Sequence, residues 1–90
     1  MAKRKSPAPI GELRVSEELS ARRISTGVAG STGWATETWA LHPVGFPGQS
    51  MASVDLFKQN GYWHAWTGNI ISKKSRDNAE HLATARNNAK

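Results

Sequence analysis

The sequence predicts an α+β domain: a three- or four-stranded antiparallel sheet with a C-terminal helix packed on one face. Segments rich in β-branched and aromatic residues follow one another between residues 34 and 67, separated by Gly, Pro and Asn-Gly turns. After residue 72 the apolar residues recur at helical spacing instead. With 90 residues, of which 38% are hydrophobic, the chain is the size of one small domain.

The N-terminal residues 1–9 are expected to form a flexible basic tail before a single domain of residues 10–90. This tail is short of apolar residues and contains two prolines. No apolar stretch follows it, as a secretory signal would require, and no apolar run approaches the roughly 18–20 residues of a membrane span. We therefore expect a cytoplasmic protein with no membrane partner. The basic residues of the tail are Lys3, Arg4 and Lys5.

Residues 10–25 fit two structures. Leu13 and Val15 alternate with polar residues, which favours a short strand. Ser16 is followed by two glutamates, a pattern typical of a helix N-cap with acidic residues in the first turn. We favour a short N-terminal helix here, followed by a glycine-rich loop over residues 27–33.

The central strands have clearer signals. Residues 34–42 and 53–58 are rich in strand formers, and a proline-containing turn separates them. Asn60-Gly61 is the dipeptide that a two-residue type I′ hairpin turn prefers. Residues 62–67 then form the returning strand, which reaches Ile71 if Gly68-Asn69 forms a bulge.

The last element is a helix that begins at Ser72 or Ser75. Its apolar face contains several small residues, so we expect the helix to lie close to the sheet. The residues of this face are Ala79, Leu82, Ala83 and Arg86.

Alternation along the returning strand predicts which aromatic side chains are exposed. Tyr62, His64 and Trp66 share one face, and Trp63 lies on the other. Because one helix covers only one face, we expect Tyr62 and Trp66 to be available for stacking on a base or for a protein interface. Alternatively the second face is covered by the N-terminal segment or by a second subunit.

The start of the helix is a candidate phosphate site. Lys73, Lys74 and Arg76 lie where positive charge opposes the helix dipole, so helix stability does not explain them. Exposed amides and basic side chains at a helix N-terminus can bind phosphate together. The alternative is a solvated charge run.

Residues 53–83 resemble the C-terminal half of double-stranded RNA-binding domains: a strand, an Asn-Gly hairpin, a returning strand, and Ser72-Lys73-Lys74 opening an alanine-bearing helix. The resemblance implies that Lys73 and Lys74 contact phosphates and that residues 12–25 take the place of that family's first helix. The sheet followed by one helix is also similar to the arm-binding domains of phage integrases, which lay their sheet on DNA.

Charge and motif content favour a binding protein over an enzyme. The net charge of +5 is concentrated at the two ends of the chain, which favours polyanion partners. There are no cysteines, and the three histidines lack metal-ligand spacing, so we expect no catalytic site, metal or cofactor. The predicted nucleic-acid-binding residues, for DNA or RNA, are Lys3, Arg4, Lys5, Tyr62, Trp66, Lys73, Lys74 and Arg76.

The alternative function is a protein-interaction module. Aromatic richness together with a nearly neutral middle also suits a small phage- or plasmid-type protein that inhibits a host protein, or a structural protein that assembles with itself. A homodimer is compatible with either function.

Overall fold

The computed structural model describes residues 11–68, 70 and 72–89, which form five strands and one helix. The α+β class is as predicted, but the sheet has five strands, not three or four. The elements are β1 (Glu12–Arg14), β2 (Leu19–Val28), β3 (Ala35–Pro43), β4 (Ala52–Gln59), β5 (Tyr62–Ala65) and α1 (Lys73–Asn88).

The sheet is an antiparallel meander in which each strand pairs with the next along the chain. It is curled into a half-barrel. The helix α1 contacts both β1 and β5, the two edge strands, so it fills the concave side of the curled sheet. We call the face against α1 the inner face and the opposite one the outer face.

The predicted N-terminal helix is wrong, because residues 12–28 contribute β1 and β2. Leu19 and Ala21 are 8% and 0% exposed, and each pairs with a residue of β3. The Ser-Glu-Glu segment is the exposed turn between the strands, where Val15 and Ser16 both donate backbone hydrogen bonds to the carbonyl oxygen of Leu19. Pairing and burial therefore outweigh the local capping signal. The residues that correspond by resemblance to a first helix are strands.

The β4–β5 hairpin turns at Asn60-Gly61, as predicted. Both residues have positive φ angles, 55° and 87°, which the type I′ turn requires. The strand β5 ends at Ala65, so the predicted continuation beyond residue 68 is wrong; residues 69 and 71 lie outside the described residues. The edge of β5 that pairs with no strand is covered by the side chain of Asn87, which accepts a hydrogen bond from Trp63 N (2.6 Å) and donates one to Trp63 O (3.0 Å).

The core lies between the inner face and α1. The helix begins after Ser72, whose hydroxyl accepts the N–H of Ser75 at 3.4 Å. The predicted helix face is buried at its three apolar positions, and the small size of its alanines allows close packing on the sheet. No helix among the described residues is long and apolar enough to cross a membrane. The core residues are Leu19, Ala21, Trp39, Leu41, Val54, Leu56, Trp63, Ala79, Leu82 and Ala83.

Candidate functional site

The outer face of the sheet carries a row of aromatic side chains: Phe57 on β4, His64 on β5, Trp34 just before β3 and Trp66 just after β5. The ring of Phe57 stacks on Trp34, with 5.3 Å between centroids and 18° between planes. On its other side it stacks on His64, at 5.4 Å and 27°. Trp66 meets Phe57 edge-on at 6.2 Å. We call Trp34, Phe57, His64 and Trp66 the aromatic platform.

Strand alternation and strand register together place these rings side by side on the outer face. Trp63 is 9% exposed against α1, so its neighbours Tyr62 and His64 must point outward. The register pairs Phe57 with His64 on one side and with Thr36 on the other, which aligns the rings across the strands. Tyr62 is 64% exposed and Trp66 56%, as the alternation predicts.

A cleft of about 440 Å³ lies beside the platform. Thr38 and Asp55 are register partners on β3 and β4, and the Thr38 hydroxyl donates to Asp55 Oδ1 at 2.8 Å. The cleft therefore combines flat apolar surfaces with hydrogen-bonding groups, which suits a ligand with planar rings and polar edges. It is lined by Trp34, Phe57, Trp66, Thr36, Thr38 and Asp55, among others.

Two arginines share the outer face with the platform. Arg14 and Arg22 alternate with the inward Leu13 and Ala21, and both arginines are exposed. Neither forms an ion pair with another residue of the described part of the chain. Arg22 on β2 pairs with Ala40 of β3, and Phe57 on β4 pairs with Thr36 of β3, four residues away. With strands about 4.8 Å apart and a rise of about 3.3 Å per residue, the Cα atoms of Arg22 and Phe57 are roughly 16 Å apart.

The carboxylate of Glu12, the residue next to Arg22 in the sheet, contacts His42 and not Arg22. Glu12 pairs with Arg22 in the β1–β2 register, yet its carboxylate lies 3.2 Å from Nε2 of His42. His42 is 2% exposed, and its Nδ1 lies 2.9 Å from the carbonyl oxygen of Pro43. Nε2 of His42 is buried and has no hydrogen-bond partner among the described residues.

Behind the platform, on the inner face, lies the buried carboxylate of Glu37, which is 5% exposed. Four hydrogen bonds hold it, from β2, from β3 and from α1. The donors are Arg23 Nη1 at 2.9 Å, Trp39 Nε1 at 2.9 Å, Arg86 Nε at 2.8 Å and Arg86 Nη2 at 3.0 Å.

This clamp keeps Glu37 ionised. Burial by itself raises the pKa of the carboxyl group, but the hydrogen bonds from its three donor residues and the positive charge of Arg86 lower it by more. The result is a pKa below the ordinary value of 4.5. The guanidinium of Arg86 also lies 4.7 Å from the centroid of the Trp63 ring. Glu37 thus ties the middle of the sheet to the end of α1.

The predicted cations at the helix start lie apart from the predicted aromatics. Lys73, Lys74 and Arg76 are exposed, and Lys73 pairs with Asp77 at 3.0 Å. Because α1 packs on the inner face, these cations belong to the other layer of the molecule, and among the described residues no hydrogen bond, ion pair or cation–π contact joins them to the platform. The predicted site residues Lys3, Arg4 and Lys5 lie outside the described residues.

Sequence reasoning missed several outer-face residues. Trp34 and Phe57 were visible as strand aromatics, but the register that aligns them with His64 is a tertiary property. Arg14 and Arg22 escaped notice because nearby glutamates cancel their charge in the sequence, although alternation would have placed them on one face. Among the described residues, no group of three His, Asp or Glu side chains could hold a metal ion.

Comparisons with protein families, with curated proteins and with solved structures found no match. The function is therefore inferred from the geometry of this chain.

Proposed function

We propose that the protein binds single-stranded nucleic acid, DNA or RNA, on the outer face of its sheet. The observation that carries the proposal is the aromatic platform: rings held nearly parallel on an exposed sheet surface. Sheet modules that bind single strands stack bases on such side chains, and each stack contributes roughly 1–3 kcal/mol.

The platform favours a single strand over a duplex. Bases in a duplex stack on one another, so only their edges reach a protein surface. An unpaired strand can turn its base faces toward Trp66 and Trp34 and place their polar edges near Asp55 and Thr38. Stacking needs no particular base, because every base has a π-face.

Arg14 and Arg22 would bind the phosphates of the single strand. A guanidinium binds a phosphate through two parallel hydrogen bonds, and both arginines are exposed on the same face as the platform. The carboxylate of Asp55 repels phosphate, which keeps the backbone at the arginine side and the bases at the aromatic side. The net charge of +5, including Lys73 and Lys74 in the other layer, adds long-range attraction.

The stacking is tested by tryptophan fluorescence with DNA and RNA oligonucleotides of about ten nucleotides, within the usual site size of such modules. Trp66→Ala should raise Kd roughly 5- to 150-fold, the equivalent of about 1–3 kcal/mol, without changing the salt dependence. The matched control is Phe46→Ala, because Phe46 is 57% exposed but lies in the β3–β4 connection. Equal effects of both variants would contradict a stacking role for the platform.

The backbone path is tested by the salt dependence of the same binding. Each lost phosphate contact flattens the slope of log K against log salt by about 0.7 on a single strand. We expect Arg14→Gln with Arg22→Gln to flatten it by about 1.4, and Lys73→Ala with Lys74→Ala to change it little. The reverse result would place the phosphates at the helix start. Absence of binding to any nucleic acid at about 50 mM salt, where phosphate contacts are strong, would overturn the proposal in favour of a protein partner.

A further inference from the structure

Three outer-face side chains form a row across β3, β4 and the end of β5. Thr38 pairs with Asp55 in the β3–β4 register. One step beyond the Leu56–Ala65 pair, the backbone N–H of Trp66 donates to the carbonyl oxygen of Asp55 at 2.9 Å, so Trp66 lies opposite Asp55. Neighbours in such a row have Cβ atoms about 5 Å apart. Because Trp66 and Asp55 also line the same cleft, a planar group stacked on Trp66 brings its edge near the Asp55 carboxylate.

The polar groups of this row accept hydrogen bonds. The Thr38 hydroxyl uses its hydrogen on Asp55 Oδ1, at 2.8 Å, so only its lone pairs remain. A carboxylate accepts only, and of its roughly four lone-pair sites Thr38 occupies one. Asp55 is exposed and forms no ion pair within the described part of the chain. The row therefore favours a ligand whose edge carries hydrogen-bond donors.

The rest of the cleft leaves this selection to Asp55. Among the described residues, no Lys, Arg, Asn or Gln side chain lines it. Glu37 also borders the cleft, but four hydrogen bonds on the inner face occupy its carboxylate. The hydroxyls of Ser31, Thr32 and Thr36 complete the polar lining, and a hydroxyl either donates or accepts.

We propose that the cleft selects guanine, which stacks on the platform and donates from its N1–H and its N2 amino group to the Asp55 carboxylate. This inference rests on the proposed function and names the base that the strand places there. The pairing edge of guanine has two adjacent donors, which match the two oxygens of a carboxylate. Adenine and cytosine present one amino group beside an acceptor, and thymine and uracil present one N–H between two carbonyl oxygens. In each of these, an acceptor of the base faces an oxygen of Asp55, which disfavours binding.

The preference is tested with thymidine strands of about ten nucleotides that carry one guanosine, inosine, adenosine or cytidine at the centre. Inosine differs from guanosine only in lacking the N2 amino group. By tryptophan fluorescence at about 50 mM salt, Kd should be roughly tenfold higher for the inosine strand. This is the lower end for a hydrogen bond to a charged group, because Asp55 is exposed. The adenosine, cytidine and all-thymidine strands should bind no better than the inosine strand.

The role of the carboxylate is tested by Asp55→Asn. The amide oxygen still accepts from Thr38, but the amide N–H groups face the donors of guanine, so the ratio of the inosine and guanosine Kd values should fall to about one. The control Asp77→Asn removes the same charge from α1, where Asp77 pairs with Lys73, and should leave the ratio at roughly ten. Equal affinity for all strands, or an unchanged ratio in Asp55→Asn, would overturn the inference and leave the stacking proposal standing.

Free nucleotides separate this inference from the proposed function. Guanosine monophosphate should bind more tightly than inosine monophosphate by a similar factor, and Asp55→Asn should remove the difference. If the nucleotides behave in this way while no strand binds, guanine recognition stands and the single-strand function fails. Strands and nucleotides that both bind without discrimination, or no binding of either, would overturn the guanine site.

Discussion

Replacing Glu37 by Gln should destabilise the fold more than any exposed substitution, because it removes the anion that two arginines share. The side chain of Glu37 is 5% exposed, and those of Arg86 and Arg23 are 14% and 23% exposed. The amide oxygen of a glutamine can still accept two hydrogen bonds, as Oε1 of Glu37 does, but its amide N–H groups cannot replace the second carboxylate oxygen. The two guanidinium groups would then be left without a counter-ion.

The burial of Glu37 sets the size of the loss in stability. Removing one partner of a buried ion pair costs about 3–5 kcal/mol. We expect the lower end, about 3 kcal/mol, because Arg23 reaches solvent and can be rehydrated. For a chain of this length the change corresponds to a fall in Tm of about 12–24 °C, at ~4–8 °C per kcal/mol. The total free energy of unfolding is roughly 5–13 kcal/mol for 90 residues, so the variant should still fold in the cold.

The same group makes stability depend on acid pH. The folded pKa of Glu37 lies below the ordinary value of 4.5. Above that value the carboxyl group is ionised in both states, and its contribution to stability is complete. As pH falls below it, the unfolded chain binds a proton that the folded chain does not, so stability declines until the folded pKa is reached. Wild type and Glu37→Gln should therefore converge as pH falls through this window.

Urea denaturation followed by tryptophan fluorescence, at neutral pH and at several acidic values, measures both effects. The control Glu80→Gln removes an exposed glutamate of α1 and should change stability by less than about 0.5 kcal/mol. Combining Glu37→Gln with Arg86→Ala should cost less than the sum of the two, because the second change removes a charge that the first left unpaired. A loss below about 1 kcal/mol at neutral pH, typical of an ordinary substitution, would refute the reasoning.

Two further predictions concern the hairpin and the sheet edge. Gly61→Val should destabilise the fold by roughly 1–2 kcal/mol, because Gly61 has a φ angle of 87°. Thermal melting measures this loss, and the control Gly30→Val should change the Tm little, because a Cβ at Gly30 meets nothing within 4 Å. Equal effects of the two variants would exclude backbone strain at Gly61 as the cause. Asn87→Ala should cost about 1–3 kcal/mol and speed hydrogen exchange at Trp63 N–H, since two hydrogen bonds to the β5 edge are lost. The neighbouring Asn88→Ala is its control, and unchanged exchange at Trp63 would show that Asn87 does not protect the edge.

Local features of the sequence predicted the hairpin turn and the helix in the last third of the molecule, although the expected continuation of β5 was wrong and the helix start was left between Ser72 and Ser75. The turn at Asn60-Gly61 depends on the φ angles of two residues, and the helix start depends on a serine side chain three residues from the N–H that it accepts. These are short-range properties, so the sequence predicts them directly. The separation of Trp63 from Tyr62 and Trp66 follows equally from alternation along one strand.

The tertiary structure alone decided the rest. Ser16 and its glutamates carry a genuine helix-capping pattern, but Leu19 and Ala21 gain burial and hydrogen bonds by pairing with β3, some twenty residues away along the chain. The register of β3, β4 and β5 pairs Phe57 with Thr36 and His64, and Phe57 stacks between His64 and Trp34, which lies just before β3. Glu37 finds its arginines 14 residues before it and 49 residues after it. Such contacts depend on how distant segments pair and pack, and no local pattern encodes that choice.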